Sequence, residues 1–116
     1  MILDAGPFID TDRVNSRLFA LIKRALQHGE ELHTTHPVLA QVIRDPARQA
    51  NLFRAVRGFT VHAFDDATTV GRLLAETDTS DVIDAHLATL AQMLDTFIVT
   101  TDPDDMATLG ARFEEY

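Results

Sequence analysis

Five aspartates carry the chemistry that this sequence can be read for. Asp4 ends the opening apolar run Met1-Ile2-Leu3-Asp4, Asp81 and Asp84 stand three apart, and Asp102 and Asp105 follow the run Phe97-Ile98-Val99-Thr100-Thr101. A spacing of three on a helix puts Asp81 and Asp84 on one face. Brought to a common edge, five carboxylates repel by several kcal/mol at low dielectric unless something neutralises them, and divalent cations do so. The chain has no cysteine, and hard oxygen donors select Mg²⁺ or Mn²⁺, held by carboxylates together with water and substrate phosphate. Two such ions about 4 Å apart activate a water and stabilise the leaving oxygen of a phosphodiester. The pattern therefore points to metal-assisted phosphodiester hydrolysis.

Each carboxylate also has a plainer role open to it. Asp102 precedes Pro103, the arrangement of an N-cap with proline in the first turn, and Asp104 and Asp105 would then favour the positive end of the helix dipole. Asp78, Thr79 or Ser80 can cap the helix that contains Asp81. Asp84 is expected in the second turn of that helix, too far in for a cap. Asp4, at the end of a buried strand, is costly without a partner.

What must bring these residues together is the alternation of elements along the chain. Ile2–Asp4, Glu31–Thr35, Phe59–Phe64 and Thr96–Thr101 read as strands, the last of them the clearest. Helical spacing of apolar residues predicts helices over Val14–His28, from Pro37 through Ile43, over Ala47–Arg57, Asp65–Ala75, Asp81–Leu94 and from Asp102 onward. Apolar strands alternating with helices imply a parallel sheet covered on both faces, with ligands outside the carboxyl ends of its strands. Asp4 and Asp102 fall at two such ends.

Composition bounds the rest. A chain of 116 residues, 46% hydrophobic, is expected to form one domain over 1–116 with a core that needs no staple. Disulfide scaffolds and cysteine-based zinc modules are excluded. No basic leader precedes an apolar stretch at Met1, and no apolar run approaches the roughly 20 residues that cross a bilayer, so a cytoplasmic protein without a membrane segment is expected. With 18 acidic against 10 basic residues and a formal charge of −8, nucleic acid is not bound by bulk electrostatics. Carboxylates that hold cations would remove that objection, because phosphate is then drawn to the cations.

Four segments in order, Ile2-Leu3-Asp4-Ala5-Gly6-Pro7-Phe8-Ile9, Val38-Leu39-Ala40-Gln41-Val42-Ile43-Arg44, Ser80-Asp81-Val82-Ile83-Asp84-Ala85-His86 and Val99-Thr100-Thr101-Asp102-Pro103-Asp104-Asp105-Met106, resemble the motifs of PIN-domain ribonucleases. The likeness is greatest to the VapC-type toxins of bacterial toxin–antitoxin pairs, in a form common in actinobacteria, and it spans nearly the whole chain. The resemblance implies a PIN-like three-layer α/β/α fold with a central parallel sheet of four to five strands. It also implies an Mg²⁺- or Mn²⁺-dependent endoribonuclease with Asp4, Asp81 and Asp102 as acidic ligands and Asp84 and Asp105 beside them. A small antitoxin across the site and a homodimer follow from the same likeness. One position departs from it: the second motif of the family carries glutamate where this chain has Gln41, whose amide oxygen can coordinate or orient a ligand but brings no charge and no base. The stretch after Ala111 leaves little room for the family's final edge strand.

Arg44, three residues from Gln41, and Arg48 are the arginines best placed in sequence for an RNA rim, with Arg13, Arg17, Arg54 and Arg57 as additions; each can equally be a solvated surface charge. The five histidines are dispersed, and His86 is expected to turn away from Asp84. Receiver domains and haloacid-dehalogenase-like phosphatases also use strand-end aspartates, but both need a late lysine, and the one lysine here is Lys23. The remaining rival is a PIN-like fold without catalysis that serves as a binding or assembly module, favoured by Gln41.

Overall fold

The first strand is two residues long and lies at the centre of the sheet. In the computed structural model, which describes residues 1–116, β1 (Ile2–Leu3) is fully buried and is flanked on both sides by parallel neighbours. On one side come β2 (His33–Thr35) and β3 (Thr60–His62); on the other come β4 (Ile98–Thr100) and β5 (Phe113–Glu115). The order is β3-β2-β1-β4-β5 with every pair parallel, in register Ile2 to His33 and Ile2 to Ile98. Seven helices connect them: α1 (Ala5–Ile9), α2 (Leu18–Gln27), α3 (His36–Val42), α4 (Ala50–Val56), α5 (Ala67–Thr77), α6 (Val82–Met93) and α7 (Pro103–Thr108). Short 3-10 turns occupy Asp10–Asp12 and Pro46–Arg48. Helices α1 to α4 pack on one another, as do α5, α6 and α7, and the result is the expected three-layer α/β/α architecture. No helix is long and apolar enough to cross a membrane.

The core is built where the two layers meet the sheet. Ile2, Leu3 and Ile98 from the strands, Phe8, Leu18, Val38 and Leu52 from one layer, and Leu87 and Met106 from the other are almost wholly removed from solvent. Each such side chain contributes about 1.5–3 kcal/mol on burial. Phe8 meets Phe59 edge to face, ring centroids 5.3 Å apart. Strand β2 is polar and yet buried on both faces. Its hydroxyls are used locally: Thr34 Oγ1 donates to the Leu3 carbonyl (2.9 Å), and Thr35 Oγ1 accepts from Val38 N (3.1 Å) to cap α3.

Several boundaries differ from the expectation. The edge strand judged to have little room is present: Ile98 N donates to the Arg112 carbonyl and Tyr116 N to the Thr100 carbonyl, so β5 needs only three residues to pair with β4. Ala5-Gly6-Pro7, where no helix is expected, is the start of α1, because Asp4 supplies its cap and Pro7 fits its first turn. Helix α2 begins at Leu18 rather than Val14, since Asp10 Oδ2 accepts from Arg17 N (2.9 Å) and holds residues 13–17 as a loop with Val14 fully exposed. Helix α3 ends at Val42, where Ile43 turns extended.

Candidate acidic site at the carboxyl edge

The connection after β1 leads to β2 on one side of it, whereas β4 and β5 lie on the other side. The topological switch point therefore lies between β1 and β4, the place where an open parallel sheet leaves a crevice outside its carboxyl ends. Asp4 and Asp102 flank that crevice. Asp4 follows β1 directly and is buried; its Oδ1 accepts from Ala5 N (2.7 Å) and its Oδ2 from the Thr100 hydroxyl (3.0 Å). The same Thr100 oxygen accepts from Asp102 N (2.9 Å). One hydroxyl at the end of β4 thus ties the carboxylate of Asp4 to the backbone of Asp102. Thr100 was not among the residues singled out from the sequence. The signal for it is a strand-end hydroxyl two residues before an aspartate, a spacing that favours such local bonds.

Asp102 stands at the N-cap position of α7, yet its side chain makes no cap bond. Its exposed carboxylate is left free, and capping does not account for it. Asp81 does cap: its Oδ1 accepts from Asp84 N (2.9 Å) at the start of α6. Asp84 lies in the first turn of α6, not the second, and is half-buried. Asp81, Asp84 and Asp105 line a common cavity of about 260 Å³ between the start of α6 and α7. A cavity of about 310 Å³ nearer the C-terminal end of α6, lined by Leu73, Ala88 and Ala91 among others, contains none of the five.

The electrostatics show how near the five are to one another. Burial pushes the Asp84 carboxyl up to about 7, and the charges of Asp4, Asp81, Asp105 and Asp102 push in the same direction, in that order. Asp4 is raised as well, by burial first, against the lowering effect of its bonds from Ala5 and Thr100 and with the charges of Asp102 and Asp81 added. No three of these groups stand at ligand distance from a common point. The donor set is nevertheless one that a hard divalent cation fits: oxygen throughout, with one half-buried carboxyl whose affinity for a proton is raised by burial and by the negative charges around it.

Gln41 is exposed in the last turn of α3, hydrogen-bonded to none of the five carboxylates. Arg44 and Arg48 make their contacts locally. Helix α3 starts at the carboxyl edge and has travelled about 10 Å from it by Val42; Arg44, beyond its end, turns Nη1 back onto the Ala40 and Ile43 carbonyls (both 3.1 Å), not along a shared face with Gln41. Arg48 is paired with Asp45 (3.4 Å) on the surface. Arg54 stacks over Phe19, 4.4 Å from its centroid. By contrast Arg13 and Arg17 line a cavity beside Gly6 and Thr101, on the β4–β5 side of the acidic group. His86 is a packing residue, buried edge-on to Phe64 at 5.0 Å with Nδ1 unpartnered, while His33 and His62, distant in sequence, are hydrogen-bonded at 2.9 Å.

The approach of α1 to the end of β4 depends on Gly6. A Cβ built there meets the side chain of Thr101, at 2.5 Å from Cγ2, 2.8 Å from Cβ and closer still to Oγ1. Gly6→Ala is expected to destabilise by about 1–3 kcal/mol in urea unfolding, as overpacking does, and Thr101→Ala in the same chain to recover most of the loss by removing two of the three clashing atoms.

No family model matches the chain, and no curated protein matches it. Among solved structures, the crystal structure of PAE2754 from Pyrobaculum aerophilum is similar to it with a TM-score of 0.70, over 98% of this chain and 87% of that one, at 18% identity. At that identity the likeness speaks for the fold, the three-layer α/β/α arrangement on which the acidic site is mounted.

Proposed function

We propose that the chain is an endoribonuclease that depends on Mg²⁺ or Mn²⁺, a PIN-type nuclease acting in the cytoplasm as the toxin of a VapBC-like pair. The observation that carries this reading is the free carboxylate of Asp102 beside buried Asp4 at the switch point, with the Asp84 carboxyl raised to about 7 by burial first and then by its acidic neighbours. Asp4, Asp81, Asp84, Asp102 and Asp105 would hold the cation, which supplies positive charge to the phosphate and lowers the pKa of the attacking water. Thr100 fixes Asp4 by donating to Oδ2, so that the other oxygen shares the α1 cap, and it fixes Asp102 through the backbone. Asp81 has one oxygen bound to the first turn of α6, whereas Asp102 keeps its carboxylate free of any cap bond. Hydrolysis in this family leaves a 5′-phosphate and a 3′-hydroxyl. The partners that go with this reading are RNA, a small antitoxin and a second copy of the chain.

A second reading, a binding module without catalysis, is favoured by one observation: Gln41 lies exposed and apart from the carboxylates, with no charge to add to them. Cleavage of RNA by the purified chain separates the two. Activity is expected with Mg²⁺ or Mn²⁺, none in EDTA, and products that end in 5′-phosphate. Activity that persists in EDTA, or 2′,3′-cyclic phosphate ends, would overturn the nuclease reading, and inertness toward every RNA tried would favour the module.

A further inference from the structure

We propose that the cavity walled by Gly6, Arg13, Arg17, Thr101 and Tyr116 is a phosphate subsite that seats the RNA phosphodiester next to the one cleaved, an inference that rests on the nuclease reading for its ligand. The cavity encloses about 320 Å³; Ile9 and Asp10 complete its wall, and its Gly6 and Thr101 stand close in the chain to Asp4 and Asp102. Thr101 follows the threonine that links Asp4 to Asp102, and Gly6 lies two residues beyond Asp4, pressed against Thr101. An RNA strand crossing the switch point toward β5 passes over it.

The wall carries two guanidinium groups. Arg17 is exposed and has no ion-pair partner; its guanidinium lies 4.6 Å over the Tyr116 ring. Stacking holds the plane of an arginine while leaving its N–H edge free, the edge that matches two phosphate oxygens. Arg13 is largely exposed, and its Nε stands 3.7 Å from Oδ1 of Asp10, a long contact that leaves most of the guanidinium's N–H edge open. Asp10 is occupied as a builder. It is buried, and its Oδ2 accepts from Tyr116 Oη (2.5 Å), Arg17 N (2.9 Å) and Ser16 Oγ (3.4 Å). These bonds join the loop that carries both arginines to the end of β5. Burial and the bond to Asp10 raise the Tyr116 hydroxyl, and that hydroxyl is what chiefly lowers Asp10, so at neutral pH the pair keeps one proton between a phenol and a carboxylate. Tyr116, with one face under Arg17 and its hydroxyl on Asp10, positions the arginine and is not a platform for a base.

The test has two arms. In the first, ¹⁵N-labelled protein in EDTA is titrated with inorganic phosphate and then with the dinucleotide pUpU. Saturable shifts are expected at the amides of Arg17, Thr101 and Tyr116 and at the side chains of Arg13 and Arg17, and Arg17→Ala is expected to abolish them. Shifts absent from this cavity, or retained in that variant, overturn the subsite whether or not the protein cleaves RNA. The second arm measures steady-state cleavage with Mn²⁺. Arg17→Ala is expected to raise KM about tenfold with kcat within about twofold, the loss of one bidentate phosphate contact, Arg17→Lys to recover part of it, and Arg72→Ala, at an exposed position of α5, to leave KM unchanged. An unchanged KM in Arg17→Ala overturns the subsite and leaves the nuclease standing. A wild type that shows the phosphate shifts but cuts no RNA overturns the nuclease and leaves the anion site.

Discussion

Replacing Asp4 by asparagine is expected to lower cation-dependent RNA cleavage on the order of a thousandfold and to leave the metal-free protein at least as stable as the wild type. The two halves have opposite causes. A carboxylate that holds a catalytic cation contributes several kcal/mol of charge stabilisation, and about 4 kcal/mol is a factor of a thousand in rate. Without the cation the same charge is a cost, since burial pushes the Asp4 carboxyl up against the two bonds that favour its ionised form. Asparagine keeps the shape of the site: its oxygen accepts from Ala5 N as Oδ1 does now, and its NH2, in the place of Oδ2, donates to Thr100 Oγ1, whose own proton turns away. Urea unfolding in EDTA at pH 8 is expected to show Asp4→Asn more stable than wild type. A variant that unfolds would make Asp4 a structural residue, and one that cleaves at the wild-type rate would sink the site.

How far the sequence announced this arrangement depends on the kind of signal each part carries. Strand and helix alternation is written in apolar periodicity, so the parallel sheet and both helical layers were legible, and with them the convergence of Asp4 and Asp102. Asp81 was readable both as ligand and as cap, and it does cap; Asp102 was readable the same way and does not, because its backbone N–H is taken by Thr100 and the chain enters α7 with the side chain turned out. No local pattern distinguishes those two outcomes. Strand β5 was hidden since two of its three residues are exposed glutamates, and an edge strand one residue from the sheet's rim needs only backbone pairing. Arg44 and Gln41 fail to share a helical face for a geometric reason. Arg44 is close to Gln41 in sequence, but the helix that would have given them a common face stops at Val42. Arg13 and Arg17 reach the carboxyl edge through a buried Asp10 and a tyrosine 106 residues away, a contact that spacing cannot show.

The proton on Asp84 yields the other large effect, in stability against pH. Its carboxyl titrates at about 7 in the folded chain and at 3.8 when unfolded, so between these values the folded state binds more protons. Stability from this group is present below about pH 4 and is lost as pH rises through 7. Two of those pH units lie above pH 5, and with allowance for the screening of a half-exposed group the loss from pH 5 to pH 8 in EDTA is on the order of 2 kcal/mol. His62 and His86 act with the opposite sign: burial lowers both, so their contribution is lost as pH falls below 6.5. The clean quantity is therefore the difference between wild type and Asp84→Asn, which keeps the histidines and removes the carboxyl. The variant is expected to gain on the wild type by about 2 kcal/mol between pH 5 and pH 8. A divalent cation should replace the proton. At a hundred times its dissociation constant, Mn²⁺ is expected to stabilise the wild type at pH 8 by about 2.7 kcal/mol, and much less at pH 5, where Asp84 is protonated and the cation must displace that proton. If Mn²⁺ stabilised the protein equally at both pH values, or if Asp84→Asn followed the wild type across the range, the five carboxylates would not form the electrostatic unit on which the nuclease reading depends.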